Sequence, residues 1–195
     1  MFATLLVMAP SLAQNLPGRA LVEALRAGGH TIVMRHASSP RGEPGVADVA
    51  AGNTDRERQL DPQGIATAIA MGEALRRLGI PVGEILSSPT FRGLQTARLL
   101  ELGEVEAVEE LGDGGRGMQP DAEGARSAWL RAKAAEAAPG GTNRLIVTHV
   151  PNLVGAFEAT AADMSDGESL IVRPDGGRAV IVGRVEIDEW PSLDR

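Results

Sequence analysis

The sequence predicts one α/β domain, a three-layer α/β/α sandwich in which a mostly parallel sheet carries an antiparallel edge. Three observations predict it. From Leu21 onward, runs with strand character alternate with runs of helical character; two of the strand runs are apolar throughout; and two later runs are joined by Pro174-Asp175-Gly176-Gly177. A run that is apolar on both faces belongs inside a parallel sheet covered by helices, and a hairpin belongs at a sheet edge. With 195 residues and neither an internal repeat nor an interdomain linker, the chain reads as a single domain over residues 14–195, large enough to bury a core.

Taken in order, the first helix carries Leu21, Val22, Leu25 and Arg26 and stops at Ala27-Gly28-Gly29, where glycine accepts a left-handed cap. Thr31-Ile32-Val33-Met34 is the first buried strand, and its C-terminal end delivers Arg35 and His36. Residues 37–60 hold Pro40, Gly42, Pro44, Gly45, Gly52 and Asn53 and read as a long loop with room for one helical turn. Loops of that length inside a compact domain usually serve function. Asp61-Pro62 is an N-cap followed by a proline at the first helical position. The helix it opens has Ile65, Ile69, Leu75 and Leu78 as its apolar face and closes at Gly79.

Glu84-Ile85-Leu86-Ser87 is the next strand, and Ser88-Pro89-Thr90 caps a helix through Arg92, Gln95 and Leu99. A third strand falls at 105–108. A loop with Gly112, Gly114, Gly115 and Gly117 precedes a helix over 121–137, which Pro139-Gly140-Gly141 ends. Leu145-Ile146-Val147-Thr148 is the second fully apolar strand; it delivers His149, and Pro151 starts a further helix. Residues 169–172 and 179–185 form the hairpin. Trp129 reads as a core residue on a helix face, Trp190 as part of a polar tail, and His30 as a strand-start residue with no catalytic part.

Composition narrows the chemistry. There is no Cys, which excludes a disulfide framework, Cys-ligated metal and a thiol nucleophile, and only three His are present. The net charge of −7 (19 Lys+Arg, 26 Asp+Glu) argues against a nucleic-acid partner. The N-terminal stretch 1–18 carries no charge, is apolar from Phe2 to Ala9, and ends in Ser11-Leu12-Ala13 before Gln14. It reads as a secretory signal over residues 1–13, cut after Ala13, and implies a periplasmic or secreted protein. No stretch reaches the ~20 apolar residues needed to span a membrane.

In open parallel sheets, ligands bind beyond the C-terminal strand ends, where His36 and His149 both fall. Arg35 precedes the first, and the segment Ser87-Ser88-Pro89-Thr90-Phe91-Arg92-Gly93-Leu94-Gln95-Thr96-Ala97 puts Arg92 in the first turn of a helix. Arg35-His36, this segment and Thr148-His149-Val150-Pro151-Asn152-Leu153 together resemble the histidine phosphatase superfamily, with its phosphoglycerate-mutase-like fold, over about residues 21–185. Ala37 stands where that family usually carries Gly.

The resemblance implies a metal-independent, cofactor-free phosphatase that hydrolyses a phosphomonoester or phosphohistidine through a phosphohistidine on His36. Arg35, Arg92 and His149 would complete the phosphate-binding set, the arginines as planar forks on the phosphoryl oxygens and His149 protonated or donating to one of them. Many members place a Glu proton donor after the third strand, which points to Glu110 and Glu109, with Asp113 and Glu168 as further carboxylates. Two other readings are a non-catalytic phosphate or phosphoglycan-binding module and phosphoglycerate-mutase-type phosphoryl transfer. The implied partner is a small phosphorylated substrate or a phosphorylated envelope glycan. The loops over 37–60 and 112–119 would wall the pocket, with Arg41, Arg56 and Arg58 placed to reach a second anionic group.

Overall fold

The computed structural model describes residues 16–114 and 124–194. Residues 1–13, expected as a signal, the glycines at 115 and 117, and the first residues of the helix expected from 121 lie outside the described residues. The elements are α1 (Gly18–Ala27), β1 (Thr31–Arg35), α2 (Pro62–Arg77), β2 (Val82–Ser87), α3 (Phe91–Leu99), β3 (Glu106–Ala107), α4 (Ala125–Ala135), β4 (Asn143–Thr148), α5 (Val150–Phe157), β5 (Ser169–Asp175) and β6 (Arg178–Val185). Among the described residues, no helix is long and apolar enough to cross a membrane.

The six strands form one sheet in the order β3-β2-β4-β1-β5-β6. The first four run parallel, β5 returns antiparallel to β1, and β6 pairs antiparallel with β5. This is the α/β fold with a mostly parallel sheet and an antiparallel edge that the sequence predicts. Alternation along each central strand feeds two cores. Ile32, Met34, Leu145 and Val147 face Leu25, Met71, Leu75 and Leu78 of the α1 and α2 layer and its connections. Val33, Ile146, Leu170 and Val172 face Leu130 and Ala134 of α4 and Leu153 and Phe157 of α5. Strands buried on both faces read as continuous apolar runs for this reason.

Two readings are corrected. Ile69 is 39% exposed, and the buried face of α2 is built from Gly64, Ala68, Met71, Gly72, Ala74 and Leu75. Small residues serve here because backbone approaches closely: a Cβ at Gly72 would run into the backbone of Leu100, and one at Gly64 into the Ser38 carbonyl. The second approach matters for the site. Asp61 caps α2 by accepting from Gly64 N at 2.7 Å and also accepts from Ser38 Oγ at 2.7 Å, so the start of the 37–60 loop is tied to the helix.

The second correction concerns Trp190, which is fully buried rather than part of a polar tail. The C-terminal segment folds back over the core shared by Val182, Val185 and Ile187, and Arg77 of α2 clamps it by donating to Pro191 O at 2.8 Å. One aromatic among polar residues has no periodicity to reveal its burial. Trp190→Ala should cost ~3–5 kcal/mol of unfolding free energy. Urea denaturation checks this; a loss below ~1 kcal/mol would show that the tail does not seal the core.

Candidate active site

Backbone register creates the site. β1 and β4 pair with Arg35 opposite Thr148, so the next residue on each strand, His36 and His149, leaves the sheet beside the other. His36 N donates to Thr148 O at 3.1 Å, and the two imidazole rings meet edge to face with centroids 5.2 Å apart. On the other flank of β4, Ser88 N donates to Val147 O at 2.9 Å. That contact seats Ser88-Pro89-Thr90 against the histidines. Thr90 then caps α3, its Oγ1 accepting from Gly93 N at 3.3 Å, which aims Arg92 of the first turn back across the strand ends. His36, His149, Arg92 and Arg35 thereby line one cleft of about 540 Å³, a volume suited to a small ligand.

Hydrogen bonds assign the imidazole tautomers. The Ala37 carbonyl can only accept, so the 2.8 Å contact makes His36 Nδ1 the protonated nitrogen and places the lone pair on Nε2. Arg92 Nε donates to that lone pair at 3.3 Å. Arg92 Nη2 likewise donates to His149 Nδ1 at 3.2 Å, so His149 carries its proton on Nε2 and gives it to Ser88 Oγ at 2.8 Å. Burial, and then the neighbouring Arg92, Arg35 and Arg58, push the His36 pKa down to about 4, against the raising effect of the Ala37 bond. His149 is also held well below the usual histidine range, first by burial and then by Arg92 and His36. Of the two expected states of His149, protonated or donating to a phosphoryl oxygen, this arrangement disfavours the first.

Arg92 and Arg35 both carry carboxylate partners. Asp113 pairs with Arg92, and Asp166 pairs with Arg35 at 2.6 Å. Arg35 Nη1 also donates to Met164 O at 2.9 Å, while its Nε is buried without a hydrogen-bond partner among the described residues.

The structure redistributes the candidate carboxylates. Glu109 and Glu110 sit exposed on the short 3-10 turn Glu109–Leu111 and do not line the cleft. The turn is oriented from inside: Thr148 Oγ1 donates to Leu111 O at 2.9 Å and Asn152 Nδ2 to Gly112 O at 2.8 Å. The next residue, Asp113, consequently enters the cleft. Glu168 is buried away from it, bonded by Arg184 and by Ser165 N at 2.8 Å. Arg41 and Arg58 line the cleft, whereas Arg56 donates to Pro44 O at 3.0 Å and is not part of it.

Sequence reasoning missed Asp166 and the role of Ser88. A signal for Asp166 existed: a strand antiparallel to β1 must begin where β1 ends. Arg35 N donates to Glu168 O and Gly167 N to His36 O, so the connection before β5 borders the two site residues. The reading placed the hairpin correctly but did not pair its first strand with β1.

The fold thus described is shared with solved structures of phosphatases. The solved structure of the protein histidine phosphatase SixA complexed with tungstate is 19% identical, with a TM-score of 0.58 over 82% of this chain and 98% of that one. A phosphoserine phosphatase from Entamoeba histolytica, solved with 3-phosphoglyceric acid, is 17% identical with a TM-score of 0.51 over 80% and 96%. The mycobacterial glucosyl-3-phosphoglycerate phosphatase complexed with VO3 is 17% identical with a TM-score of 0.52 over 82% and 100%. No protein-family model and no curated protein sequence matches the chain.

The buried, neutral His36 makes stability pH-dependent. Between pH 6.5 and about 4 the unfolded chain takes up a proton at this position and the folded chain does not, so stability falls as the pH falls. The His36 contribution is ~3 kcal/mol over that interval. His36→Gln should therefore lose ~3 kcal/mol less than wild type between pH 7 and 4 in urea unfolding. Parallel stability curves for the two proteins would refute the assignment.

Proposed function

We propose that the protein is a metal-independent phosphatase that acts on a small phosphomonoester through a phosphohistidine on His36. The observation that carries this reading is the His36 tautomer: Nδ1 is committed to the Ala37 carbonyl, so Nε2 carries the lone pair, which accepts from Arg92 Nε in the cleft that Arg35 and His149 also line. Neutral imidazole is a competent nucleophile, and phosphoryl transfer depends on positioning and charge stabilisation more than on covalent assistance.

In the first half-reaction the phosphoryl dianion exchanges with Asp113 and Asp166 for the guanidinium groups of Arg92 and Arg35. His36 Nε2 attacks phosphorus in line as the P–O ester bond breaks. Displaced from Arg92 by the entering phosphoryl group, the Asp113 carboxylate takes a proton from solvent, and the departing oxygen then takes that proton from it. In the second half, water attacks the phosphohistidine, Asp113 accepts the water proton, and inorganic phosphate leaves. Asp113 thus ends protonated, as it stood before the ester bond broke, an acid and then a base. His149 donates its Nε2 proton to Ser88 and receives a bond from Arg92, so its part is to orient that guanidinium and to line the oxyanion site.

Para-nitrophenyl phosphate should be hydrolysed with EDTA present, and His36→Ala should lower kcat at least ~10³-fold. Activity that survives the substitution would overturn the mechanism, and tight phosphate binding with no turnover in either protein would favour the binding-module reading. Asp113→Asn should spare the aryl ester, whose leaving group needs little protonation, while costing ~10²-fold or more on an alkyl phosphate. Equal losses on both esters would remove Asp113 from the acid role.

The site is proposed to work outside the cytoplasm, on the strength of the apolar 2–9 stretch and Ser11-Leu12-Ala13. Terminal sequencing of the full chain expressed in a Gram-negative host should find Gln14 as the first residue in the periplasmic fraction. Uncleaved protein confined to the cytosol would refute export.

A further inference from the structure

Glu168 is 2% exposed, and both oxygens of its carboxylate are bonded. Arg184 of β6 donates to Oε1 from Nε and to Oε2 from Nη2 at 3.0 Å, and Ser165 N donates to Oε2 at 2.8 Å. One buried carboxylate thus joins the edge strand to the backbone of the connection before β5.

The residues between those two bonded ends are the ones that touch the cleft. Glu168 N donates to Ser165 O at 3.3 Å and closes a four-residue turn, with Gly167 in third place at φ +79°, where only glycine is unstrained. Asp166, in second place, pairs with Arg35 at 2.6 Å, and Met164, just before the turn, accepts from Arg35 Nη1 at 2.9 Å. Gly167 N donates to His36 O at 3.0 Å, and Arg35 N to Glu168 O at 3.1 Å. Further bonds tie the segment to β6 and the residue after it: Arg184 Nη1 donates to Asp163 Oδ1 at 2.9 Å, and Ser165 Oγ to Glu186 Oε1 at 3.2 Å.

We propose that Glu168 is a positioning residue for phosphoryl binding: anchored to β6 by Arg184, it locks the Ser165–Glu168 turn, and the turn aims the Arg35 guanidinium through Asp166 and Met164 O. The inference rests on the reading of Arg35 as a phosphoryl ligand. Asp166 has a side chain 36% exposed, and an ion pair that open to water spends side-chain entropy to hold its geometry. A locked backbone beneath it lowers that cost and fixes the direction in which Arg35 points. A carboxylate is required at 168 because three donors converge on two acceptor oxygens. An amide there turns its own N–H donors toward Arg184 or toward Ser165 N.

The test measures binding of inorganic phosphate by calorimetry and KM for para-nitrophenyl phosphate. Glu168→Gln should weaken phosphate binding at least about fivefold and raise KM by a similar factor, as a misdirected charge-assisted hydrogen bond would. Trp190→Ala, which loosens the fold away from the cleft, should lower the amount of active enzyme and leave both constants within about twofold. In an Asp166→Ala background Glu168→Gln should cost less than about twofold more, because the contact through which it acts is already gone. Should the single variant not fold, Glu168→Leu with Arg184→Met leaves no buried charge unpaired and should show the same weakening. Unchanged phosphate affinity in either folded variant, equal weakening in Trp190→Ala, or losses from Asp166→Ala and Glu168→Gln that multiply in full would overturn the positioning role alone. Wild type that neither binds phosphate nor hydrolyses the aryl ester would overturn the phosphoryl site and the positioning role with it.

Discussion

The pairing of β1 with β4 in parallel, with Arg35 opposite Thr148, is the constraint on which the rest of the structure depends. Parallel register makes the residues after both strands neighbours, and the next residue in each case is a histidine. A shift of one position would turn every side chain of β4 to the opposite face, exchanging Leu145 and Val147 with Ile146 between two filled cores. The hydrophobic effect thus holds the register, and the register holds the chemistry. β2 lies on the far side of β4 and brings α3, with Arg92, to the same end of the sheet.

Electrostatics at that end is a balance of crowding and compensation. Burying two imidazoles against arginines keeps them neutral, which preserves a lone pair on His36 Nε2 and costs stability in acid. The same arginines would repel each other were they not partnered. Asp113 and Asp166 supply the compensation.

Local signals carried a great deal of the fold. The Asp61 and Thr90 caps, the two fully apolar strands and the Gly176-Gly177 hairpin turn are each written within a few consecutive residues, and each lies where those residues suggest. Failures came where burial depends on distant partners. Ile69 has an apolar side chain on a helix but faces solvent, because glycine and alanine made the closer contact on the other side. Trp190 looks stranded among polar residues until the chain folds back across the sheet.

By itself the sequence determined the strands, most helix boundaries and the residues that end the two central strands, because apolar periodicity, capping and turn chemistry act over one or two turns of chain. Only the tertiary structure decided which carboxylates share the cleft. Asp113 enters it because Thr148 and Asn152 hold the turn before it, and Asp166 because β5 pairs antiparallel with β1. Those contacts join residues tens of positions apart, and their geometry arises from strand pairing and packing that no local pattern encodes.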